Sequence, residues 1–434
     1  MERSIYQSLQ MWKEKYNRKP LILFGARQVG KTYILKQFGQ NEFENLVYFN
    51  CQEDSFARQL FSDLVVSRIV RDIEVKKETK IEEGKTLLFF DEIQEAPNGI
   101  ASLKYFCENM PKLHVVVAGS LLGISLHEGE SFPVGKVDMM HIFPMTFIEF
   151  LKAAGRTQLA EIVNNNDFET LTAFHDELMD YLRQYYFTGG MPEAVDTYLR
   201  THDLKETRYV QHTILEAYNN DISKHTKPQI QRIHQVLDSI PSQLARENKK
   251  FVFSAIRKGA RAVDFEMALQ WLSDAGLIYK VERVKKPQQP LKFYADESAF
   301  KVYWFDCGLL ACMSNAQPED ILLGSHVFTG FKGAFTENFV LQQLKASGNG
   351  ETICYFSKDN STMEIDFIVE KQGKILPIEV KAEENVKSKS LYQFITNDYK
   401  ENGFKGIRLS MKPFIDQGWM ENRPLFSAER IMTS

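Results

Sequence analysis

The stretch LILFGARQVGKTYIL, residues 21–35, restricts the fold of this chain more than any other feature. Four apolar residues, typical of a buried strand, lead directly into the pattern GxxxxGKT, and a helical pattern follows. Gly25 and Gly30 allow a tight backbone turn, so that amide N–H groups and a helix N-terminus face an anion. We expect this loop and the residue after it to hold the phosphates of a nucleotide: Gly25, Ala26, Arg27, Gln28, Val29, Gly30, Lys31, Thr32 and Tyr33. The alternative is a chance glycine-rich turn, and the flanking strand and helix argue against it.

A second strand pattern supplies the carboxylates that such a site needs. In TLLFFDEIQ, residues 86–94, an apolar run ends in Asp91 and Glu92, which places both at the carboxyl edge of a parallel sheet. We expect Lys31 to contact the β- and γ-phosphates of ATP, while Thr32 and Asp91 hold Mg²⁺, Asp91 through water. Glu92 is placed to act as the general base for the attacking water. On its own, such a strand often only meets a solvated loop.

Two further polar residues flank later strands of the same region. Ser120 ends the run HVVVAGS and can orient water or contact the γ-phosphate, although a serine also starts many turns. Lys136 stands in FPVGKV, ahead of the last strand pattern of this region.

The stretch MEIDFIVEKQGKILPIEVKA, residues 363–382, predicts a β-hairpin that turns at Gly373. Because strand side chains alternate, Glu379 and Lys381 share one face, and Asp366 can join them from the neighbouring strand. Asp366 and Glu379 are suited to hold Mg²⁺, and Lys381 to orient or deprotonate water, as in a metal-dependent phosphodiesterase. Glu337, on a preceding helical pattern, can add a further ligand. A solvated charged hairpin is the plain alternative.

Composition limits the classes of partner. Lys and Arg number 53 against 57 Asp and Glu, for a formal net charge of −4, so a nucleic-acid site would have to be a local patch. Arg283, Lys285, Lys286 and Lys292 form one candidate patch, which a solvated hairpin tip explains as well. The absence of a long apolar run predicts no membrane span, and a charged N-terminus predicts no signal peptide. We therefore expect a cytoplasmic protein.

The motifs together resemble a family of bacterial and archaeal AAA+ ATPases. They are GARQVGKT, FFDEIQ, AGS, VGK and PMTFIEF, followed by GGMPEAV at 189–195 and KVYWFDCGLL at 301–310. The resemblance continues into a C-terminal region of the kind catalogued as domain of unknown function 4143. It implies that Pro192 lies near the adenine, although a proline can also simply break a helix.

The same resemblance points to one departure. The family usually has Arg where this chain has Lys136, and that residue would act as a finger on the transition state. Lys keeps the charge but lacks the planar, bidentate fork of Arg, so slow turnover is expected.

The C-terminal residues resemble the PD-(D/E)xK nucleases, in which a helix Glu, a strand Asp and an ExK strand form the site. Glu337, Asp366, Glu379 and Lys381 fill these positions, although no Pro precedes Asp366. Such folds also persist as binding modules.

These patterns predict an α/β chain with a P-loop NTPase core of parallel strands and a restriction-endonuclease-like C-terminus. The predicted parts are an AAA+ P-loop ATPase core (1–150), a helical lid (151–246), a winged-helix-like segment (247–325) and a PD-(D/E)xK nuclease-like domain (326–434). The leading hypothesis is Mg²⁺-dependent ATP hydrolysis coupled to a DNA-binding or DNA-cutting end. The alternative is a slow ATP-driven switch of the signal-transduction type, whose C-terminal domain only binds a partner. ATP and DNA are the expected ligands, with self-association into a homo-oligomer.

Overall fold

The computed structural model describes residues 1–119, 132–223, 227–246, 249–323, 332–348, 350–359, 361–382 and 387–433. The chain forms two compact units. The N-terminal unit comprises Glu2–Phe143 and Asp274–Gly276, and the C-terminal unit comprises Met1, Pro144–Ser273 and Leu277–Ser434. The four-part division expected from the sequence stays a prediction.

The described part of the N-terminal unit contains a five-stranded parallel sheet. Its strands are β1 (Leu21–Phe24), β2 (Asn45–Asn50), β3 (Thr86–Asp91), β4 (His114–Gly119) and β5 (Asp138–His141), in the spatial order β2-β3-β4-β1-β5. The helices in the described part of this unit are α1 (Ile5–Glu14), α2 (Lys31–Glu42), α3 (Ser55–Gln59), α4 (Val66–Lys77) and α5 (Gly99–Asn109). Because the strands are parallel, the loop after β1 and the carboxylates that end β3 reach the same edge of the sheet.

Apolar runs in the sequence predicted strands at Leu21–Phe24, Leu46–Phe49, Leu87–Phe90, Val115–Ala118 and Met140–Phe143. The first four coincide with β1 to β4, whereas β5 begins earlier than its run, at Asp138. The backbone N–H of Asp138 donates to the carbonyl of Pro20, and its carboxylate accepts from the N–H of Lys19. These bonds extend the strand to Asp138, a polar residue that an apolar pattern alone does not predict.

Alternation along the strands separates a core face from a face that carries polar groups. Phe49, Phe90 and Val117 point into a buried cluster with residues of α4 and α5. Their neighbours point the other way, and among them Tyr48 lies beneath Lys36 of α2. The strand pattern therefore fixes which side chains can reach the site at the end of β3.

Helices dominate the first half of the C-terminal unit. They are α6 (Phe147–Ala153), α7 (Thr157–Asn164), α8 (Phe168–Ala173), α9 (His175–Thr188), α10 (Pro192–Thr201), α11 (Leu204–Ile222), α12 (Lys227–Leu244) and α13 (Ala262–Asp274). Further helices are α14 (Cys307–Met313), α15 (Pro318–Leu323), α16 (Lys332–Ser347) and α17 (Lys389–Gln393). The segment GGMP, residues 189–192, interrupts the helical pattern of the sequence, and in the structure α9 ends at Thr188 and Pro192 is the first residue of α10.

The described part of this unit also contains an eight-stranded mixed sheet, in the order β12-β13-β11-β10-β9-β8-β6-β7. Its strands are β6 (Ile278–Val284), β7 (Ala295–Trp304), β8 (Thr352–Ser357), β9 (Glu364–Lys371), β10 (Lys374–Lys381), β11 (Gly406–Ser410), β12 (Ile415–Asp416) and β13 (Met420–Pro424). The predicted hairpin is confirmed, because β9 and β10 pair antiparallel around Gln372 and Gly373, both with positive φ.

The winged-helix prediction for 247–325 is not confirmed. The prediction rested on two neighbouring strand patterns, LIYKVERV and LKFYA. The second is mostly a 3₁₀ turn at Leu291–Tyr294, and β6 pairs instead with the following residues 295–304. In addition, β6 pairs in parallel with β8, so that both strands belong to the eight-stranded sheet.

Among the described residues, every helix falls short of the length and apolarity needed to cross a membrane.

Candidate functional sites

The loop after β1 has the backbone geometry of an anion cradle. Gln28 and Gly30 both have positive φ, at 61° and 97°, which turns the chain sharply into α2. Gly25 is required for a different reason, because a Cβ there would lie 2.2 Å from the carbonyl oxygen of Ile142. Ala26 and Val29 are buried beneath the loop, whereas Gln28 and Tyr33 are exposed.

Lys31 is buried at the first position of α2 and is held by the loop itself. Its ammonium donates to the carbonyls of Gly25 at 3.0 Å and Ala26 at 2.8 Å. Burial lowers the pKa of Lys31 to about 8, against the opposing effect of Glu92 and Asp91. An anion such as a phosphate would replace lost hydration and favour the charged form.

Thr32 and Asp91 meet at the carboxyl edge of the sheet. The Thr32 hydroxyl donates to Oδ2 of Asp91 at 2.6 Å, and the Tyr48 hydroxyl donates to the same oxygen at 3.3 Å. Burial raises the pKa of Asp91 above its ordinary value, and the bond from Thr32 opposes this shift. The hydroxyl and the carboxylate are hard oxygen donors, the kind that Mg²⁺ prefers, and a bound nucleotide supplies further oxygens.

Glu92 follows Asp91 directly and has a strained backbone conformation. Its φ of 48° lies in the left-handed region, which costs a non-glycine residue on the order of 1 kcal/mol. The carboxylate is half-buried and accepts a hydrogen bond from the amide of Gln94 at 2.5 Å. A fixed, ionisable carboxylate one residue after Asp91 is suited to take a proton from water.

Sequence reasoning missed Arg3, which supports the loop from below. Arg3 is buried, and its guanidinium donates to the carbonyl of Val29 at 2.9 Å and to that of Phe143 at 2.6 Å. An arginine three residues from the start of the chain carries no local signal for this role, since the contacts span 26 and 140 residues.

One expected residue of this unit, Lys136, does not join the cluster, and another lies outside the described residues. Lys136 is exposed and forms an ion pair with Glu108 at 2.9 Å. Because β5 runs parallel to β1, Lys136 precedes β5 at the amino edge of the sheet, opposite the loop. Ser120 directly follows β4, between β1 and β3, but lies outside the described residues.

Pro192 lies in the C-terminal unit at the first turn of α10, a position where proline favours a helix start. The preceding Gly190 fits against the carbonyl oxygen of Met145, which a Cβ would approach to 2.2 Å. The N–H of Gly190 donates to the buried Asp306 at 2.6 Å. The structure thus explains residues 189–192 as a packed helix start, and the adenine contact of Pro192 stays a proposal.

The predicted C-terminal residues lie in one buried, highly charged cluster. Glu337, on α16, is held by an ion pair with Lys249 and by the Tyr303 hydroxyl at 3.1 Å. The buried Lys301 lies 4.0 Å from Glu337 and 2.5 Å from Glu364. Burial would raise the pKa of Glu337, but Lys249 and Lys301 outweigh it and keep that pKa below its ordinary value.

The hairpin contributes the other three expected residues. Glu379 is buried and accepts from Lys381 at 3.0 Å, while its Oε2 accepts no hydrogen bond from any residue that the structure describes. Asp366 accepts from the backbone N–H of Val380 at 2.8 Å. Burial, with the negative charge of Glu337, raises the pKa of Asp366 to about 7.

This arrangement differs from the metal site expected from the sequence. Within the described parts of the chain, no three His, Cys, Asp or Glu side chains are placed to share an ion. The physical reason is local, since Lys249 and Lys301 occupy the surroundings of Glu337 and supply the positive charge that a cation would bring. The binding of metal by Glu337, Asp366 and Glu379 therefore stays a proposal.

One member of the expected basic patch, Arg283, is held in ion pairs. Arg283 donates to Asp359 at 2.7 Å and also pairs with Asp296. Lys285, Lys286 and Lys292 are exposed near the turn between β6 and β7.

Three family models match separate parts of the chain. Residues 17–151 match the model described as an AAA domain. Residues 179–320 match a domain of unknown function, DUF8612, and residues 332–413 match another, DUF4143. No curated protein matches the chain.

Several solved structures are similar to large parts of the chain. The Walker-type ATPase of Pyrococcus abyssi is 16% identical, with a TM-score of 0.45, over 71% of this chain and 94% of that one. The Orc1 protein of Aeropyrum pernix in complex with DNA is 11% identical, with a TM-score of 0.29, over 72% and 90%. RuvB of Thermotoga maritima is 13% identical, with a TM-score of 0.31, over 64% and 89%.

The residues matched by the AAA model include the loop of residues 25–32 and the carboxylates at the end of β3. The chain therefore contains an AAA-type ATPase domain with a P-loop NTPase core at residues 17–151 and a C-terminal DUF4143 domain at residues 332–413.

Proposed function

We propose that this ATPase hydrolyses ATP at the edge of β1 and β3 with Mg²⁺. The observation that carries the proposal is the hydrogen bond from Thr32 to Asp91, which joins the two expected metal ligands at 2.6 Å. Thr32 and Asp91 would hold Mg²⁺, which neutralises phosphate charge when bound. Lys31 leaves its two carbonyl acceptors to bind the phosphates, and Glu92, fixed by Gln94, takes the proton of the attacking water.

Calorimetry on Lys31→Ala tests the first part of this proposal. Loss of the ammonium should weaken ATP binding severely, because its contact with the phosphates is charge-assisted. The matched control is Lys80→Ala, which removes an exposed lysine elsewhere in the same unit and should leave affinity unchanged. Equal affinity in the two variants would end the assignment of the loop.

We propose further that the ATPase is coupled to nucleic-acid binding by the C-terminal unit. The exposed Lys285, Lys286 and Lys292 offer phosphate contacts, which would add a salt-dependent affinity for DNA. The pairing of Glu337 with Lys249 supports binding more than cutting, because cleavage by a PD-(D/E)xK site requires carboxylates that accept a metal.

A second candidate, the slow ATP-driven switch, is favoured by the position of Lys136. A finger at the amino edge of the sheet cannot serve the loop at the carboxyl edge of the same sheet, since a four-residue strand separates them by about 13 Å. Lys136 would therefore act on a second copy, and an isolated copy would turn over slowly.

One experiment separates these functions. ATP hydrolysis by the full chain is measured with and without double-stranded DNA, and the DNA is examined for binding and for cuts in Mg²⁺ and in EDTA. The leading proposal expects DNA to bind and to raise the ATPase rate. A rate indifferent to DNA, with no DNA bound at low salt, would favour the switch.

A further inference from the structure

One oxygen of Asp91 accepts hydrogen bonds from hydroxyl groups on two different elements. Thr32 belongs to α2 and donates at 2.6 Å, whereas Tyr48 belongs to β2 and donates at 3.3 Å. Strand β2 pairs with β3 along its whole length, with Asn50 opposite Asp91. The long side chain of Tyr48 therefore reaches along the sheet to the residue that ends the neighbouring strand.

The ring of Tyr48 is itself fixed on two sides. It packs against Phe89, two residues before Asp91 and on the same face, with ring centroids 5.1 Å apart. The ammonium of Lys36 lies 3.7 Å from the centre of the ring. Lys36 follows Thr32 by four residues, so both lie on one face of α2. One face of α2 thus supplies both the Thr32 hydroxyl that donates to Asp91 and the Lys36 ammonium that lies over the ring of Tyr48.

The second donor matters because Thr32 has two tasks. Its oxygen lone pairs are the expected ligand of the cation, while its proton is donated to Asp91. Tyr48 stands on β2, outside the loop, and its bond to Asp91 is made separately from that of Thr32. A cation over the ring draws electron density from it and makes the phenol a better donor.

We propose that Tyr48 is a positioning residue for ATP hydrolysis, which holds the Asp91 carboxylate in the orientation that accepts Mg²⁺–ATP, while Lys36 holds Tyr48. The inference rests on the proposed role of Asp91 as a metal-holding residue. Tyr48 acts through Asp91 and does not touch the reacting atoms.

The test compares ATP affinity with and without the metal, measured by calorimetry on the full chain. Tyr48→Phe keeps the ring and removes only the hydroxyl. Affinity for ATP in Mg²⁺ should fall about tenfold, as is typical when a partner of a metal ligand is removed. Affinity in EDTA should stay unchanged, because the loop is untouched. Lys36→Met should act in the same direction and more weakly, by about twofold to fivefold.

Tyr16→Phe is the matched control, since Tyr16 lies in the same unit with a side chain 99% exposed. An equal loss of affinity in EDTA would mean that Tyr48 supports the fold rather than the metal. Unchanged affinity in Mg²⁺ would overturn the inference directly. The variant Asp91→Asn separates a failure of this inference from a failure of the proposed function. If Mg²⁺ raised the ATP affinity of that variant as much as it does in wild type, Asp91 would not hold the metal and the proposed function would be refuted as well.

Discussion

Two carboxylate-rich sites of this molecule differ in the groups that compensate their charge. At the end of β3, Asp91 accepts bonds from the hydroxyls of Thr32 and Tyr48. In the C-terminal unit, Glu337 is held by the ammonium of Lys249, with Lys301 4.0 Å away. Both aspartates of these sites, Asp91 and Asp366, have a pKa raised by burial.

The difference decides what each site can accept. A neutral hydroxyl stabilises a carboxylate without cancelling its charge, so the site keeps its attraction for a cation. A lysine cancels the charge and fills the space beside it, so that a metal would have to displace the lysine first. The N-terminal site is therefore suited to Mg²⁺ as it stands, whereas the C-terminal site is already neutralised.

The largest effect is expected for Glu92, the proposed base of the N-terminal site. Glu92→Gln keeps the shape and the contact with Gln94 but cannot take a proton. ATP hydrolysis should fall by about a hundredfold or more, with Mg²⁺–ATP still bound. Rapid mixing with labelled ATP measures both quantities.

Glu95→Gln is the control, because Glu95 is an exposed carboxylate in the same turn. Equal rates in wild type and Glu92→Gln would show that another residue activates the water, and the contrast between the sites would then lose its catalytic meaning.

Removal of Lys249 should make the C-terminal site more like the N-terminal site. Lys249→Met leaves Glu337 buried without its main partner, which should destabilise the C-terminal unit by about 3 kcal/mol. Mn²⁺ or Mg²⁺ should stabilise the variant and so restore part of that loss, whereas neither cation should stabilise the C-terminal unit of wild type. Thermal unfolding with and without the cation measures the effect.

The double variant Lys249→Met with Glu337→Gln removes both charges and should regain stability without responding to the cation. Stabilisation of wild type by the cation at a site other than the nucleotide loop would contradict the contrast, since it would place a ready metal site in the C-terminal unit.

The raised pKa of Asp366 gives a smaller, pH-dependent effect. Its pKa is about 7 in the folded protein and about 3.9 in an unfolded chain, so the folded state binds the proton more tightly. The protonated form stabilises the fold at low pH, and this contribution is lost as pH rises from about 4 to about 7. Asp366→Asn removes the dependence, so its stability relative to wild type should increase over that range and level off above it.

Thermal unfolding of the two proteins at about pH 5 and about pH 8 checks this sign. Asp196→Asn provides the control, since its side chain is 63% exposed. A constant difference between Asp366→Asn and wild type across the range would show that Asp366 titrates normally.

The smallest effect is expected for Lys136. If this residue acts on a second copy, turnover per chain should rise with protein concentration, and Lys136→Arg should raise it by a few-fold, because the guanidinium offers two parallel donors. A rate independent of concentration, together with a slower Arg variant, would place Lys136 outside the reaction.

Local patterns were sufficient to predict that several residues of the proposed N-terminal site lie at one edge of the sheet. The loop, Thr32, Asp91 and Glu92 stand at fixed positions relative to strands, so their meeting follows from parallel strands alone. Tyr48 and Arg3 could not be predicted in this way. Tyr48 depends on β2 lying beside β3, and Arg3 depends on contacts across the whole unit.

In the C-terminal unit the sequence predicted the hairpin and the shared face of Glu379 and Lys381. It gave no sign that Lys249 and Lys301 would enter the same cluster, because Lys249 lies 88 residues before Glu337 and follows no motif. The wing was expected from two strand patterns near each other, and only the pairing of β6 with β8 shows the sheet to which they belong.

The order of strands in the eight-stranded sheet limits how this protein can be divided. Strands β6 and β7 fall within residues 179–320, and β8 to β11 fall within residues 332–413, so two separately recognised sequence families contribute to one sheet. Their seam is the parallel pairing of Arg283 with Tyr355 and of Val284 with Phe356. A fragment that began after residue 320 would expose β8 as a bare edge, open to pairing with other chains. Natural shuffling of these regions would face the same obstacle, and the two are expected to be inherited as a pair.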